Sequence, residues 1–166
     1  MMNSNINENE SENLSILVWK LALGSAVSWE ISKYLGSSHP YLAPLSVILT
    51  IQSTVDQTVS ISVKRVIGTL IGISVTVLIA KFFKVEGWNL GLLILIGCYI
   101  AKYFHFSKKV IHQVALTILF VFVFEHQTRH YALDRLRDTI IGVLVAGVIQ
   151  IVWFRLFSKE KSSISN

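Results

Sequence analysis

The sequence predicts an all-α fold: a polytopic integral membrane bundle of six transmembrane helices, with a possible 3+3 inverted repeat. Three observations predict it. Apolar residues make up 52% of the chain and charged residues 15%, where a soluble domain carries about 25% charge. The apolar runs are greasy on every side and lack the wet face of a soluble amphipathic helix. One pattern also occurs twice, as RVIGTLIG at 65–72 and RLRDTIIG at 135–142. It pairs Arg65, Thr69 and Gly72 with Arg135, Thr139 and Gly142, and each copy leads into an apolar run.

The chain opens on MMNSNINENESEN. This segment is polar and acidic, without the basic stretch and adjoining apolar core of a secretory signal. Residues 1–13 are therefore expected to be a disordered tail. The membrane domain runs over 14–158, and 159–166 form a short polar tail. Turn residues and charges cut the domain into Leu14–Leu35, Pro40–Val55, Val66–Phe83, Gly87–Phe104, Val110–Phe124 and Thr139–Phe157.

The first segment carries Lys20, Gly24, Ser28 and Ser32 at four-residue steps, a small and polar stripe along one face. Lys20 either snorkels or faces an interior cavity. In the second segment Pro40 fits a first helical turn and Pro44 should loosen the helix, with Gln52, Ser53 and Asp56 closing it. The third and fifth are short for a span of about 20 residues. Lys81, Lys84, Lys102 and Arg155 near segment ends lengthen the spans by snorkelling. Trp88, Tyr99, Tyr103, Trp153 and Phe157 suit an interfacial aromatic belt. The sixth segment is the second copy of the repeated pattern.

A three-span repeat enters the membrane from opposite sides in its two copies, an arrangement typical of transporters. Gly68 and Gly72 form a GxxxG that lets another helix approach closely. Asp138 takes the place of the first glycine in the second copy, leaving Gly142 and Gly147 as its packing positions. Thr69 and Thr139 can bond along the helix or across to a neighbour. Arg65 and Arg135 stand at the expected helix starts, where the macrodipole disfavours a cation unless an anion shares the site. Both are candidate anion ligands or interfacial anchors, and Arg135 and Arg137 can instead pair locally with Asp134 and Asp138.

The net charge of +5 is spread singly between apolar runs, which argues against a nucleic-acid face. Cys98 is the one cysteine, so neither a disulfide framework nor a cysteine metal site is expected. His126 and His130 in HQTRH have zinc-helix spacing but lack the glutamate general base of HExxH. No phosphate loop, dinucleotide fingerprint or nucleophile elbow occurs. No enzyme, metal or cofactor is expected.

With six spans both termini share a side. That side holds Lys64, Arg65, Lys102, Lys108, Lys109, Arg155, Lys159 and Lys161. The other holds Lys33, Lys81, Lys84, Arg129, Arg135 and Arg137. A narrow excess places the termini in the cytoplasm.

The run SHPYLAPLSVILTIQSTV, followed by KRVIGTLIG and RLRDTIIGVLVAGV, resembles the FUSC superfamily of fusaric-acid-resistance proteins and aromatic acid exporters. The likeness extends from Trp19 to Phe157. It implies a multi-pass protein of the cell's plasma (inner) membrane with a six-helix membrane unit that moves organic anions outward. By motif position Arg65, Gly68, Thr69 and Gly72 match one signature, and Arg135, Asp138, Thr139 and Gly142 the other. The expected partners are the lipid bilayer, an organic anion such as an aromatic carboxylate, and further copies of the chain. The expected ligand set is Arg65, Arg135, Thr69, Thr139 and Lys20. The competing reading is a non-transporting membrane subunit that assembles with itself or with another protein.

Overall fold

The computed structural model describes the backbone of residues 2–52, 54–79, 82, 84–124 and 130–164, with side chains for those between 14 and 155. Ser53, Lys81, Phe83, His126 and Arg129, singled out above, lie outside the described residues, as do the side chains of Phe157, Lys159 and Lys161. Six helices are present among the described residues: α1 (Met2–Tyr34), α2 (Leu42–Ile48), α3 (Val55–Ile79), α4 (Gly87–Tyr103), α5 (Lys108–Phe124) and α6 (Tyr131–Ile164). No strand occurs among them.

Helix ends follow local chemistry. α1 closes with Gly36 at φ 79°. The amide of Ser37 donates to the Ser32 carbonyl at 3.1 Å and that of Gly36 to Lys33 at 3.0 Å, the paired bonds of a Schellman cap. α4 ends in the same way, with Phe106 bonded to Ala101 at 3.1 Å and His105 to Lys102 at 2.9 Å. There the left-handed position is His105, at φ 57°. Asp56 in the first turn of α3 and Asp134 in that of α6 complement the helix dipoles.

Three apolar clusters hold the bundle together. Val75 of α3 packs with Leu93 and Ala101 of α4 and with Val110, Val114, Ile118 and Phe122 of α5. Ala43 and Val47 of α2, with Ile51, pack on Ile141, Val145 and Ala146 of α6, flanked by Leu17 and Leu21 of α1. Leu42, Val121, Tyr131 and Ala132 join the two halves. The last helix of each three-helix stretch thus packs on the first two of the other stretch.

Close approaches recur in matching places. A Cβ at Gly72 would stand 2.7 Å from Thr117 Cβ of α5, and one at Gly142 2.5 Å from Ser46 Cβ of α2. Gly97 of α4 lies under Ile118 of α5, and Gly24 of α1 under Val47 of α2.

The polarity is inside out. Ser28, Ser32, Thr58, Arg65, Thr69, Gln113, Thr117, Arg135, Asp138, Thr139 and Gln150 are buried, whereas Leu78, Leu92, Leu95, Leu144 and Val148 face outward. A soluble protein could not leave so much contiguous apolar surface in water, whereas lipid solvates it. Among the described residues, Leu14–Tyr34, Val55–Ile79 and Tyr131–Arg155 are long and apolar enough to cross a membrane. The chain is an all-helical membrane protein.

Several expectations need correction. The run Pro40–Val55, read as a full span, yields a helix of 7 residues, about 10 Å long. Pro44 falls within its first turn, where proline is tolerated, and the helix stops at Ile48, with Ile51 and Gln52 non-helical. α4 and α5 are 17 residues each, about 25 Å and short of the usual span. Among the described residues, three of the six helices therefore meet the length expected of a spanning helix. The stretches flanking two apolar runs are helical as well: α3 begins at Val55 and α6 at Tyr131. Once a helix is nucleated, each added residue gains a hydrogen bond whatever its hydropathy, so apolarity marked the spans more tightly than the helices. Helical backbone is described from Met2 in α1 and to Ile164 in α6.

Candidate functional site

Arg65 and Arg135 sit inside the bundle rather than at its rim. Arg65 is 4% exposed and Arg135 0%. Arg65 lies well within α3, more than two turns past Val55, and Arg135 lies on the second turn of α6. The dipole argument therefore fails for Arg65, because its helix starts earlier than apolarity suggested. Burial replaces it as the reason to look for an anion.

Among the described residues, Nε and Nη2 of Arg65 and Nε, Nη1 and Nη2 of Arg135 are buried without a hydrogen-bond partner. Neither guanidinium takes part in an ion pair with a described carboxylate. Arg65 is within Coulombic reach of Arg135, so the interior holds two mutually repelling cations. Arg135 lies over the Phe120 ring at 4.9 Å. That contact is worth about 2 kcal/mol when desolvated, less than the several kcal/mol that burying a charge costs. Asp138, within Coulombic reach of Arg135, offsets part of that cost, and a bound anion would supply the remainder.

The neighbouring polar groups are already engaged. Gln113 Nε2 donates to Thr69 Oγ1 at 3.1 Å and to Thr117 Oγ1 at 3.3 Å, crossing from α5 to α3. Thr139 bonds back to the carbonyl of Arg135 at 2.6 Å. Asp138 accepts from Ser32 Oγ at 2.7 Å and from Ser37 Oγ at 2.6 Å. His39 Nδ1 is 2.9 Å from Asp134 Oδ2, which ties the α1–α2 connection to the start of α6. Arg137 reaches Asp134 at 3.9 Å and is more exposed than the other two arginines.

An aromatic column leads away from Arg135. Phe120 stacks with Phe124 at 6.3 Å and Phe124 with Tyr131 at 5.2 Å. His39 meets Tyr131 edge-on at 4.8 Å, and Tyr41 meets His39 at 5.9 Å.

The structure brings Arg65, Thr69, Arg135 and Thr139 together on two packed helices, and leaves Lys20 apart. Lys20 bonds Gln150 Oε1 at 3.2 Å, between α1 and α6, about 22 Å along α6 from Arg135. Of the expected packing glycines, Gly68 and Gly72 meet α5 and Gly142 meets α2, whereas Gly147 has nothing within 4 Å. It lies on another face of α6 from Gly142, because five residues turn a helix by about 140°. Gln113, Phe120, Ser32 and Ser37 shape the site without having been picked out for it. Gln113 carried a signal, being a lone amide inside the apolar run of α5. Among the described residues no group of three or more potential metal ligands occurs.

No curated protein and no solved structure matches the chain. The family model described as fusaric acid resistance protein-like matches residues 27–149. The match spans Arg65 through Thr139, with α2 to α5 entire, and stops short of Lys20 and Gln150. With most of its length matched, and with the buried arginines inside that match, the chain belongs to the fusaric acid resistance protein-like family.

Proposed function

We propose that this protein exports organic acids across the plasma membrane, with Arg65 and Arg135 jointly receiving the carboxylate. One observation carries the reading. Two guanidiniums lie buried in one helical interior, and among the described residues Nε and Nη2 of Arg65 and all three nitrogens of Arg135 lack hydrogen-bond partners. The family, one of transport and resistance type, agrees with it.

Aromatic acids are the proposed cargo because the column Phe120–Phe124–Tyr131 begins at Arg135. A ring can travel along such a face while its carboxylate stays with the guanidinium. The repeated glycine contacts and the broken α2 support an inverted 3+3 arrangement, in which discontinuous helices border the substrate path. The termini are proposed to be cytoplasmic. Self-association is proposed through the outward face of α6 at Gly147, flanked by Leu144, Val148 and Ile151. No catalytic step or cofactor is assigned.

Uptake of labelled benzoate into proteoliposomes tests the reading. Arg65→Gln and Arg135→Gln should each cut flux at least about tenfold, the loss expected when a charged hydrogen bond is removed. Equal flux in the wild type and both variants would remove the arginines from the mechanism.

A further inference from the structure

The inner face of α1 carries Lys20, Gly24, Ser28 and Ser32, all buried. α6, which packs against it, buries Arg135, Thr139, Gly142, Ala146 and Gln150. The two helices are antiparallel: Ser32 bonds Asp138 at one end and Lys20 bonds Gln150 at the other. The seam between them has a buried cation at each end, Arg135 near the α1–α2 connection and Lys20 near the termini.

Lys20 is 7% exposed. A snorkelling lysine extends its amine to the interface, whereas this one is folded into the bundle. Its ammonium has three donors. Its acceptor among the described residues is the neutral Gln150 Oε1, and its charge lies 5.7 Å from the centre of the Trp153 ring. No described carboxylate is within ion-pair range of it. An amide oxygen and a π face do not replace the hydration of a buried ammonium, and a carboxylate would. Around Gly24, between the two cations, the seam is apolar and tight. A Cβ at Gly24 would meet Val47 at 2.7 Å, Ile149 at 3.1 Å and Ile51 at 3.6 Å.

We propose that Lys20, Gln150 and Trp153 form a second carboxylate-binding station near the termini. The ammonium takes the carboxylate, Gln150 Oε1 holds the ammonium in the carboxylate's absence and competes with it, and the indole lies beside an attached ring. Val47, Ile51 and Ile149 separate this station from the arginine pair. Its role in transport rests on the reading above, whereas the binding itself does not.

The test is calorimetric titration of the full chain in detergent with benzoate. The wild type should show two sites. Lys20→Gln and the double variant Arg65→Gln/Arg135→Gln should each keep one, with the affected site weakened at least about tenfold. Lys20→Arg should keep both, and benzyl alcohol, which lacks the charge, should give no binding. Gln150→Leu removes the ammonium's internal acceptor and should tighten the station severalfold. This variant keeps the test decisive should Lys20→Gln fail to fold. A Lys20→Gln isotherm identical to the wild type overturns the station, as does unchanged or weaker binding in Gln150→Leu. Loss of a site in Lys20→Gln but not in the double arginine variant supports the station and sinks the arginine reading. The reverse pattern sinks only the station.

Discussion

At Arg135 three buried nitrogens without partners are retained where an aliphatic side chain would fit more comfortably. Replacing buried ions by apolar groups of similar volume often stabilises a protein by about 1–4 kcal/mol. Arg135→Met should therefore raise resistance to thermal unfolding in detergent while abolishing benzoate flux. If the variant melts earlier and still transports, the residue is structural. The glycines separate in the same way. A methyl group at Gly142 would run into the carbonyl oxygen of Ala43, whereas one at Gly147 meets nothing. Gly142→Ala should cost about 1–3 kcal/mol through overpacking against backbone. Gly147→Ala should leave the melting temperature of the single chain unchanged. At this scale the sequence marked both arginines, both threonines and the close-packing glycines, because the repeat singled them out. The packing role expected of Gly147 overlooked helical spacing, since five residues turn α6 by about 140° away from the face of Gly142.

Among the elements, α2 departs furthest from the expectation of a full span. Non-helical backbone inside a membrane protein must find partners within the protein. Here the Gln52 amide donates to Thr58 Oγ1 at 3.1 Å, and that hydroxyl in turn donates to the Thr54 carbonyl at 2.9 Å. Thr58→Ala leaves the Gln52 amide unpaired, at a cost of about 1–3 kcal/mol. Hydrogen exchange should then speed up at Gln52 and be unaffected in α5. Unchanged protection at Gln52 would mean that another acceptor serves it. The break was only half legible. Pro44 marked a weak point, yet proline is accommodated in a first turn, and the helix ends four residues later in a turn whose amides at Leu49, Thr50 and Ile51 still bond back to Leu45 and Val47. α3 was under-read instead: its polar first turns, Asp56 to Arg65, bond internally as any helix does. The capping pair is a third case. His105 occupies the left-handed position that Gly36 fills at the end of α1. Relief of that conformation should make His105→Gly more stable by up to about 1 kcal/mol, readable as a small rise in unfolding temperature.

For the molecule as a whole, helix directions can be followed contact by contact. α3 and α5 run parallel, because Gly68 lies against Gln113 and Gly72 against Thr117. α2 and α6 run parallel, with Ala43 against Gly142 and Val47 near Ile149. α1 opposes α6 through the Ser32–Asp138 and Lys20–Gln150 bonds. α4 opposes α5, since Gly97 meets Ile118 while Cys98 reaches Ile111. These directions are those of a chain that reverses at every connection, even where α2 supplies only a short helix. The consequence is a fixed pattern of sidedness. Cys98 is the one cysteine, so Cys98→Ser gives a clean background for single cysteines read by a membrane-impermeant maleimide. Ser38→Cys and Glu86→Cys should label from one face. Ser107→Cys and a cysteine at Asn3 should label from the other. Thr54→Cys decides the contested element, because it labels with Ser107→Cys only if the α2 stretch carries the chain across. Should Thr54→Cys label with Ser38→Cys instead, α2 is re-entrant. α3 would then start on the far side, and the two arginine-headed copies could not be related by inversion.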